Sequence, residues 1–259
     1  MLQFAYSTIN WGPTCDLAVA LGEIRETGWG AVELYQHSLD WLGPRSILTE
    51  QLNGLRVATL FGSVALPLDD RQRTIQKRRI DYAAEVGATA YGIGGATRLR
   101  QRSPTAAEYA ELSAFFEELA VYAADKGVAV SYHPHTGWTV ETAEEVERLL
   151  DGTRALRLCL DASHIALVDE DPGETFHRFW DRIGYIHLKD WARGKFVELG
   201  RGTIGIDFPH LLRDLDNRGF AGWVVIENSR SDVSPATSAR INADYLAGLG
   251  YAVGGEARG

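Results

Sequence analysis

Short apolar runs alternate with amphipathic segments along the whole chain, and this alternation limits the folds open to it. Eight such pairs occupy 259 residues, which is about 32 residues per pair and the size of one strand–helix unit. The last three runs read largely as strands that are buried on both faces of a parallel sheet. The pattern predicts an α/β protein, a single (β/α)8 barrel over residues 1–259, with an open doubly wound sheet as the alternative.

Capping residues predict where several of the helices begin. Thr142 and Glu145 are spaced as a capping box, in which side chain and backbone bond reciprocally. Ser103 and Ser234 each stand directly before a proline, which is typical of the first helical position. Asp207 is expected to cap a later helix, and Thr14 is expected to open the first one.

The charge balance is acidic and argues against a nucleic-acid partner. Lys and Arg number 26 against 35 Asp and Glu, so the net charge is −9, whereas a polyanion binder needs a basic face. The nearest approach to a basic face is the segment 71–79, which we interpret as the solvated face of a helix over 70–86. That helix is expected to turn Ile75, Tyr82 and Val86 inward.

Cysteine usage and hydropathy indicate the broad class of protein. Cys15 and Cys159 are far apart and form no CxxC pattern, which argues against a disulfide scaffold and a thiolate zinc site. The first residues do not resemble a signal peptide, and no apolar stretch approaches 18 residues. We expect a cytoplasmic protein with no membrane partner. A homo-oligomer is compatible with this sequence.

Metal-ligand and acid–base residue types stand at or just after the ends of the late strands. Asp161, His187 and Glu227 follow three consecutive apolar runs, while His133 ends an earlier run and Glu141 lies in the loop beyond it. In a barrel all these positions lie at the C-terminal mouth, where active sites are built. A mixed His and carboxylate set without thiolate suits manganese, cobalt, zinc or iron. The sequence therefore predicts a divalent metal site.

Each of these residues also has an ordinary structural explanation. Asp161 suits a helix cap, and Glu141 suits the positive end of a helix dipole. Lys189 lies two residues after His187, so that both side chains are expected on one side of an extended strand. Near a cation it can serve as an acid or base, but it can equally be an exposed partner of Asp190.

Other residues near the same loops suit a sugar or polyol substrate. Trp11 and Trp138 can wall a pocket for a ring-shaped polyol, although tryptophan is also a common core residue. Arg201 follows the seventh strand and can clamp a carboxylate or a pair of hydroxyl groups. The Gly92–Gly95 segment lacks the full glycine spacing of a dinucleotide loop.

The motifs themselves resemble those of the xylose isomerase-like TIM barrels, the sugar phosphate isomerase/epimerase group. The likeness spans nearly the whole chain and is most specific in five segments: HPHTGWTVET, LDASH, IHLKD, ELGRGTIGIDF and WVVIEN. HPHTG is most similar to the inosose dehydratase branch. The resemblance implies one divalent ion, with manganese or cobalt first and zinc, iron or magnesium as alternatives. Its implied ligands are Glu141, Asp161, His187 and Glu227, and His164 is implied to contact the substrate.

The resemblance also implies a reaction, namely proton abstraction next to the carbonyl of a keto-polyol or sugar. Glu227 or Glu141 would be the base, and Lys189, His135 or His164 the acid. His133 and His135 stand where ketose epimerases have a Glu-Pro pair, which favours an inosose-type dehydratase over a ketose 3-epimerase or an aldose–ketose isomerase. A three-zinc apurinic endonuclease fits poorly with the acidic charge. A non-catalytic barrel stays open as a further alternative.

Overall fold

The computed structural model describes residues 1–95, 102–229 and 231–254. Its strands are β1 (Gln3–Ser7), β2 (Ala31–Tyr35), β3 (Arg56–Ser63), β4 (Ala90–Gly94), β5 (Ala129–His133), β6 (Arg157–Asp161), β7 (Ile183–Leu188), β8 (Asp190–Ala192), β9 (Lys195–Val197) and β10 (Trp223–Ile226). Its helices are α1 (Leu17–Glu26), α2 (Leu39–Leu42), α3 (Arg45–Leu52), α4 (Asp70–Glu85), α5 (Ala106–Ala124), α6 (Ala143–Leu150), α7 (Ala162–Ala166), α8 (Pro172–Arg178), α9 (Phe208–Asn217) and α10 (Pro235–Gly248).

Eight of the strands form a closed barrel in the order β1-β10-β7-β6-β5-β4-β3-β2. The pairs β1–β2, β1–β10, β7–β10, β3–β4, β4–β5 and β5–β6 are parallel. The prediction of a (β/α)8 barrel is thereby confirmed. Two compact units can be distinguished within the chain, the first made of Met1–Ala58 and Ile186–Gly259 and the second of Thr59–Tyr185. The assignment of 1–259 as one domain stays a prediction.

In the first unit, β1 and β10 pair in register and are buried over most of their length. The rings of Tyr6 in β1 and Trp29 before β2 are in tilted contact with centroids 5.0 Å apart, and the Trp29 indole donates to the carbonyl of Ala239 in α10 (3.1 Å). The start of α1 differs from the prediction. Asp16, and not Thr14, is the N-cap, because its carboxylate accepts from the Val19 amide (3.2 Å).

In the second unit, α5 packs on β5 through Phe116 and Tyr132, whose ring centroids are 4.9 Å apart. The helix begins after Thr105, so the prediction of a cap at Ser103 is wrong. Thr105 and Glu108 form a reciprocal capping box, in which the Glu108 carboxylate accepts from the Thr105 amide at 2.7 Å. This pair satisfies two backbone amides at the start of the helix. The predicted caps at Thr142, Asp207 and Ser234 are confirmed.

The inward face of α4 is also different from the expected one. Ile75 is 37% exposed, whereas Gln76, Ile80 and Tyr82 are buried. A glutamine can take a buried position here because its hydrogen bonds are satisfied. Gln76 donates to the Ser63 carbonyl (3.0 Å) and accepts from the buried hydroxyl of Tyr91.

One sheet lies outside the barrel and is absent from the sequence prediction. β8 and β9 pair antiparallel across a two-residue turn at Arg193 and Gly194. Both turn residues have positive φ angles, 54° and 80°, as a tight hairpin turn requires. Across the hairpin, the Trp191 and Phe196 rings lie 4.8 Å apart.

Within the described ranges, none of the helices combines the length and the apolar character that crossing a membrane demands.

Candidate active site

The first unit holds a histidine between two buried carboxylates. β7 carries His187, β2 carries Glu33, and Glu227 directly follows β10; these side chains are between 0% and 4% exposed. His187 Nε2 lies 3.0 Å from Glu33 Oε2, and His187 Nδ1 lies 2.7 Å from Glu227 Oε2. Each carboxylate oxygen can accept a hydrogen bond from the ring nitrogen that faces it, and an outer carboxylate of this kind commonly orients a ligating histidine.

The sequence analysis assigns no role to Glu33. The signal that identifies it is an acid within the apolar run AVELY, whose first four residues are fully buried. A buried carboxylate requires a partner, and His187 supplies one.

Lys189 is buried beside Glu227. Its side chain is 1% exposed, and Nζ donates to Glu227 Oε1 at 3.0 Å. The ammonium also lies 4.4 Å from the centroid of the Phe196 ring in β9, within the range of a cation–π interaction. The alternative that Lys189 is an exposed residue is therefore wrong.

Asp190 secures the backbone that follows β9. Its carboxylate accepts from the amides of Trp191 and Gly202, both at 2.8 Å. Burial raises the pKa of the Asp190 carboxyl, although these backbone donors act in the opposite direction. A side chain at Gly202 would overlap this carboxylate, which explains the glycine.

Arg201 and Trp11 are predicted substrate contacts that lie in the first unit. Arg201 is exposed, and its amide donates to the Glu198 carbonyl (3.1 Å). Trp11 is half-buried, and its indole donates to Glu23 Oε2 at 2.6 Å. Their contacts with a substrate stay predictions.

In the second unit, three histidines gather after β5 and β6. His133 ends β5, His135 follows it, and His164 lies in α7. The ring centroids of His135 and His164 are 3.7 Å apart, and those of His133 and His164 are 5.5 Å apart. Trp138 stacks on His135 with a centroid distance of 4.2 Å and an interplanar angle of 16°. A pocket wall that contains Trp138 is consistent with this arrangement.

Trp138 also explains a glycine of the Gly92–Gly95 segment. A Cβ atom at Gly94, the last residue of β4, would overlap the indole ring. The glycine spacing here thus serves close packing of the tryptophan and gives no sign of a dinucleotide loop.

Asp161 is the N-cap of α7, which confirms the structural role that its position suggested. Its Oδ1 accepts from the amides of Ser163 (2.9 Å) and His164 (3.2 Å) at the start of α7. The carboxylate is 1% exposed. Capping occupies Oδ1, so the role of a metal ligand remains compatible with Oδ2.

Glu141 has a defined structural task in the loop between β5 and α6. Its Oε2 accepts from the Gly137 amide at 2.6 Å, which closes the turn 137–141. The residue is half-buried. In the part of the chain that the structure describes, the groups of three or more closely spaced ligand-type side chains do not include Glu141. Its role as a metal ligand stays a prediction.

Comparisons with known proteins agree with these motifs. An inosose dehydratase of Geobacillus kaustophilus is 27% identical over 267 residues, which cover 87% of this chain and 85% of that enzyme. With several other curated relatives, the match spans about half of their length.

Solved structures show the same fold at low identity. A structure of L-ribulose 3-epimerase has a TM-score of 0.78 and 19% identity, covering 96% of this chain and 94% of that one. The IOLI protein with a bound zinc atom has a TM-score of 0.74 and 16% identity, covering 96% and 98%. The family model described as xylose isomerase-like TIM barrel matches residues 21–249. The chain belongs to this family of xylose isomerase-like TIM barrels.

Proposed function

We propose that the protein is a divalent-metal-dependent dehydratase that acts on a keto-polyol of the inosose type. The observation that carries the proposal is the buried pair of Lys189 and Glu227, joined by a 3.0 Å hydrogen bond. A dehydratase needs a base to take a proton from carbon and an acid to protonate the departing hydroxyl. A carboxylate and an ammonium in contact supply both.

Glu141, Asp161, His187 and Glu227 would hold the ion. The surroundings of His187 fit this role, because Glu33 engages one ring nitrogen while the other faces Glu227. When bound, a divalent ion would supply Lewis acidity that stabilises negative charge on the substrate's oxygens. One imidazole and three carboxylates suit manganese, cobalt, zinc or iron, and the family resemblance makes manganese or cobalt the first choice.

The reaction then follows from the two side chains. Glu227 takes the proton from the carbon next to the carbonyl, and the electron pair of that C–H bond forms a carbon–carbon double bond as the neighbouring C–O bond breaks. Lys189 gives its proton to the departing hydroxyl, which leaves as water. The proton on Glu227 can return to Lys189 along their hydrogen bond, so that both residues regain their starting states.

The remaining predicted residues would orient the ring. Trp138 and Trp11 offer aromatic faces for the C–H side of a polyol. His133, His135, His164 and Arg201 would bind hydroxyl groups, and His135 or His164 is the alternative acid. The second candidate function is a ketose 3-epimerase or aldose–ketose isomerase, which is favoured by the fold shared with L-ribulose 3-epimerase.

The experiment is a proton NMR and ultraviolet assay of the full chain with manganese. A keto-inositol and several ketoses are incubated separately in deuterated water. We expect the keto-inositol to lose water and give an unsaturated dicarbonyl tautomer, which has new ultraviolet absorbance. Interconversion of two ketose epimers without an absorbance change would replace the dehydratase by the epimerase.

Lys189→Met tests the role of the acid directly. We expect a loss of at least about 100-fold in kcat, the usual contribution of general acid catalysis, with the metal content unchanged. Lys126→Met is the matched control, because Lys126 is an exposed residue after α5 that pairs with Asp81. Equal rates for wild type and Lys189→Met would contradict the proposed mechanism.

A further inference from the structure

A buried asparagine of α10 connects the two segments that flank the proposed acid and base in the first unit. Asn242 is 0% exposed. Its Oδ1 accepts from the amide of Leu199, two residues after β9, at 2.9 Å. Its Nδ2 donates to Oδ1 of Asn228, the residue that follows Glu227, at 3.2 Å. One side chain on the helix therefore holds both the end of the β8–β9 hairpin and the end of β10.

The orientation of the Asn242 amide follows from its backbone partners. The Leu199 amide only donates, so the atom that faces it must be the oxygen. The Ser238 carbonyl lies 2.9 Å from Nδ2 and only accepts, so the atom that faces it must be the nitrogen. The second hydrogen of Nδ2 is then available for Asn228. A buried polar network in which every bond is made gives rigidity to the segments that it joins.

The bond to Asn228 acts on the segment of the proposed base. The amide of Glu227 donates to the Leu188 carbonyl at 3.0 Å, which holds the chain where Glu227 begins. The bond between Asn228 and Asn242 holds the next residue. Because the backbone is held on both sides, the Glu227 carboxylate is kept near Lys189, to which it is joined by the 3.0 Å hydrogen bond.

The bond to Leu199 acts on the hairpin. Leu199 lies three residues after Phe196, whose ring centroid is 4.4 Å from the Lys189 ammonium. A second contact holds the same end of the hairpin, since the Ser231 hydroxyl donates to the Glu198 carboxylate. The strands β8 and β9 pair with each other and not with the barrel, so these contacts help to fix where the Phe196 ring lies.

We propose that Asn242 is a positioning residue for the pair of Lys189 and Glu227. It holds the segment of the base through Asn228 and the hairpin through Leu199. The inference rests on the proposed function, because it takes these two side chains as the acid and the base. A displacement of about 1 Å at a reacting group can lower the rate by about 100-fold, so a residue outside the reacting pair can control its activity.

The first test is NMR spectroscopy of the full chain labelled with ¹³C at the lysine ε carbon. Few signals are expected, because the sequence has four lysines, namely Lys77, Lys126, Lys189 and Lys195. The Lys189 signal is identified by its loss in Lys189→Met. In the wild type we expect its ε protons upfield, because the Phe196 ring lies against the ammonium. Asn242→Leu removes the three bonds at similar side-chain volume and should move this signal toward its unshifted position.

The second test is kinetic, with saturating metal and at a temperature well below the unfolding midpoint. Asn242→Leu should lower kcat by about 10–100-fold with KM nearly unchanged, since the change concerns the reacting groups and not substrate binding. Asn228→Ala removes only the bond on the side of the base. It should also lower kcat, while the Lys189 signal stays nearer to that of the wild type. If Asn242→Leu does not fold, kcat of Asn228→Ala decides.

Leu246→Ala is the matched control for a purely structural role. Leu246 is 0% exposed and lies one turn further along α10, so its truncation destabilises the helix but leaves the bonds of Asn242 in place. It should lower the thermal unfolding midpoint and leave kcat and the Lys189 signal unchanged.

The proposal is overturned if folded Asn242→Leu keeps the Lys189 signal and the kcat of the wild type. It is equally overturned if Leu246→Ala changes both as much as Asn242→Leu does. A wild type that converts neither keto-inositols nor ketoses would refute the proposed function instead, and the NMR signal would still show whether Asn242 holds the surroundings of Lys189.

Discussion

Replacement of Glu33 tests how strongly a buried carboxylate prepares His187 for metal binding. Glu33 is 0% exposed, and its Oε2 lies 3.0 Å from His187 Nε2. Loss of such an outer partner typically lowers metal affinity by about 10–100-fold, which corresponds to about 1.4–2.7 kcal/mol. Glu33→Gln keeps an oxygen that can accept the hydrogen bond but removes the charge, so we expect an effect near tenfold. Glu33→Ala removes the acceptor as well, so we expect an effect near 100-fold.

The assay is competition for manganese or cobalt against a chromophoric chelator, at a temperature well below the unfolding midpoint of each variant. Glu26→Gln is the matched control, because Glu26 is an exposed residue of α1 and should bind metal like the wild type. If Glu33→Gln and Glu33→Ala both bind metal within twofold of the wild type, Glu33 does not prepare the histidine.

Three further predictions concern metal and stability. Asp161→Asn should lose metal, and urea unfolding should show it to be about 0.5–2 kcal/mol more stable than Asp161→Ala, since asparagine can still cap α7. Burial raises the pKa of Glu117, but three backbone donors outweigh it and hold the pKa below its ordinary value. The ionised Glu117 carboxylate therefore stabilises the folded state fully above the unfolded pKa of about 4.3, and this contribution is lost as the pH falls through the lower folded pKa. In urea unfolding at pH 7, Glu117→Gln should lower the free energy of unfolding by about 1.5–3 kcal/mol, and the difference should be smaller at pH 3. Calorimetry should show a cost of about 2–5 kcal/mol for Ile80→Ala in the core and less than about 0.5 kcal/mol for Ile75→Ala at the surface; similar costs at both positions would contradict the observed face of α4.

The barrel was predictable because its signals are repeated and local. Buried strands such as β10 are apolar at every position, and at least one helix separates each barrel strand from the next along the chain. The starts of individual helices were less predictable. Ser103 and Thr105 are both good caps by residue type, and the capping-box spacing of Thr105 and Glu108 decides between them.

The polar face of α4 was missed for a related reason. Helical periodicity assigns apolar residues to the interior, which favoured Ile75 over Gln76. A buried glutamine depends on acceptors and donors from distant segments, here Ser63 and Tyr91. Such pairings do not appear in the periodicity of one helix.

The candidate site shows the same division between local and distant information. Strand-end positions identified His133, Asp161, His187 and Glu227 from sequence, since strand ends are local features. The contacts of Lys189 with Glu227 and Phe196 were not derivable, because they depend on side-chain directions in segments far apart in the chain. Glu33 could have been identified as an acid within a buried strand, but the sequence does not show that His187 is its partner.

The β8–β9 hairpin has a consequence for how such an enzyme could be redesigned. Among the described strands these two pair with each other and stand outside the eight-stranded barrel, so their length and sequence can change without disturbing the barrel's hydrogen bonds. Yet β9 carries Phe196, the aromatic ring against the Lys189 ammonium. Grafting hairpins of other sequences between Asp190 and Glu198 would therefore vary the surroundings of the proposed acid, Lys189, while the barrel strands stay constant, which makes this segment a target for a substrate-specificity library.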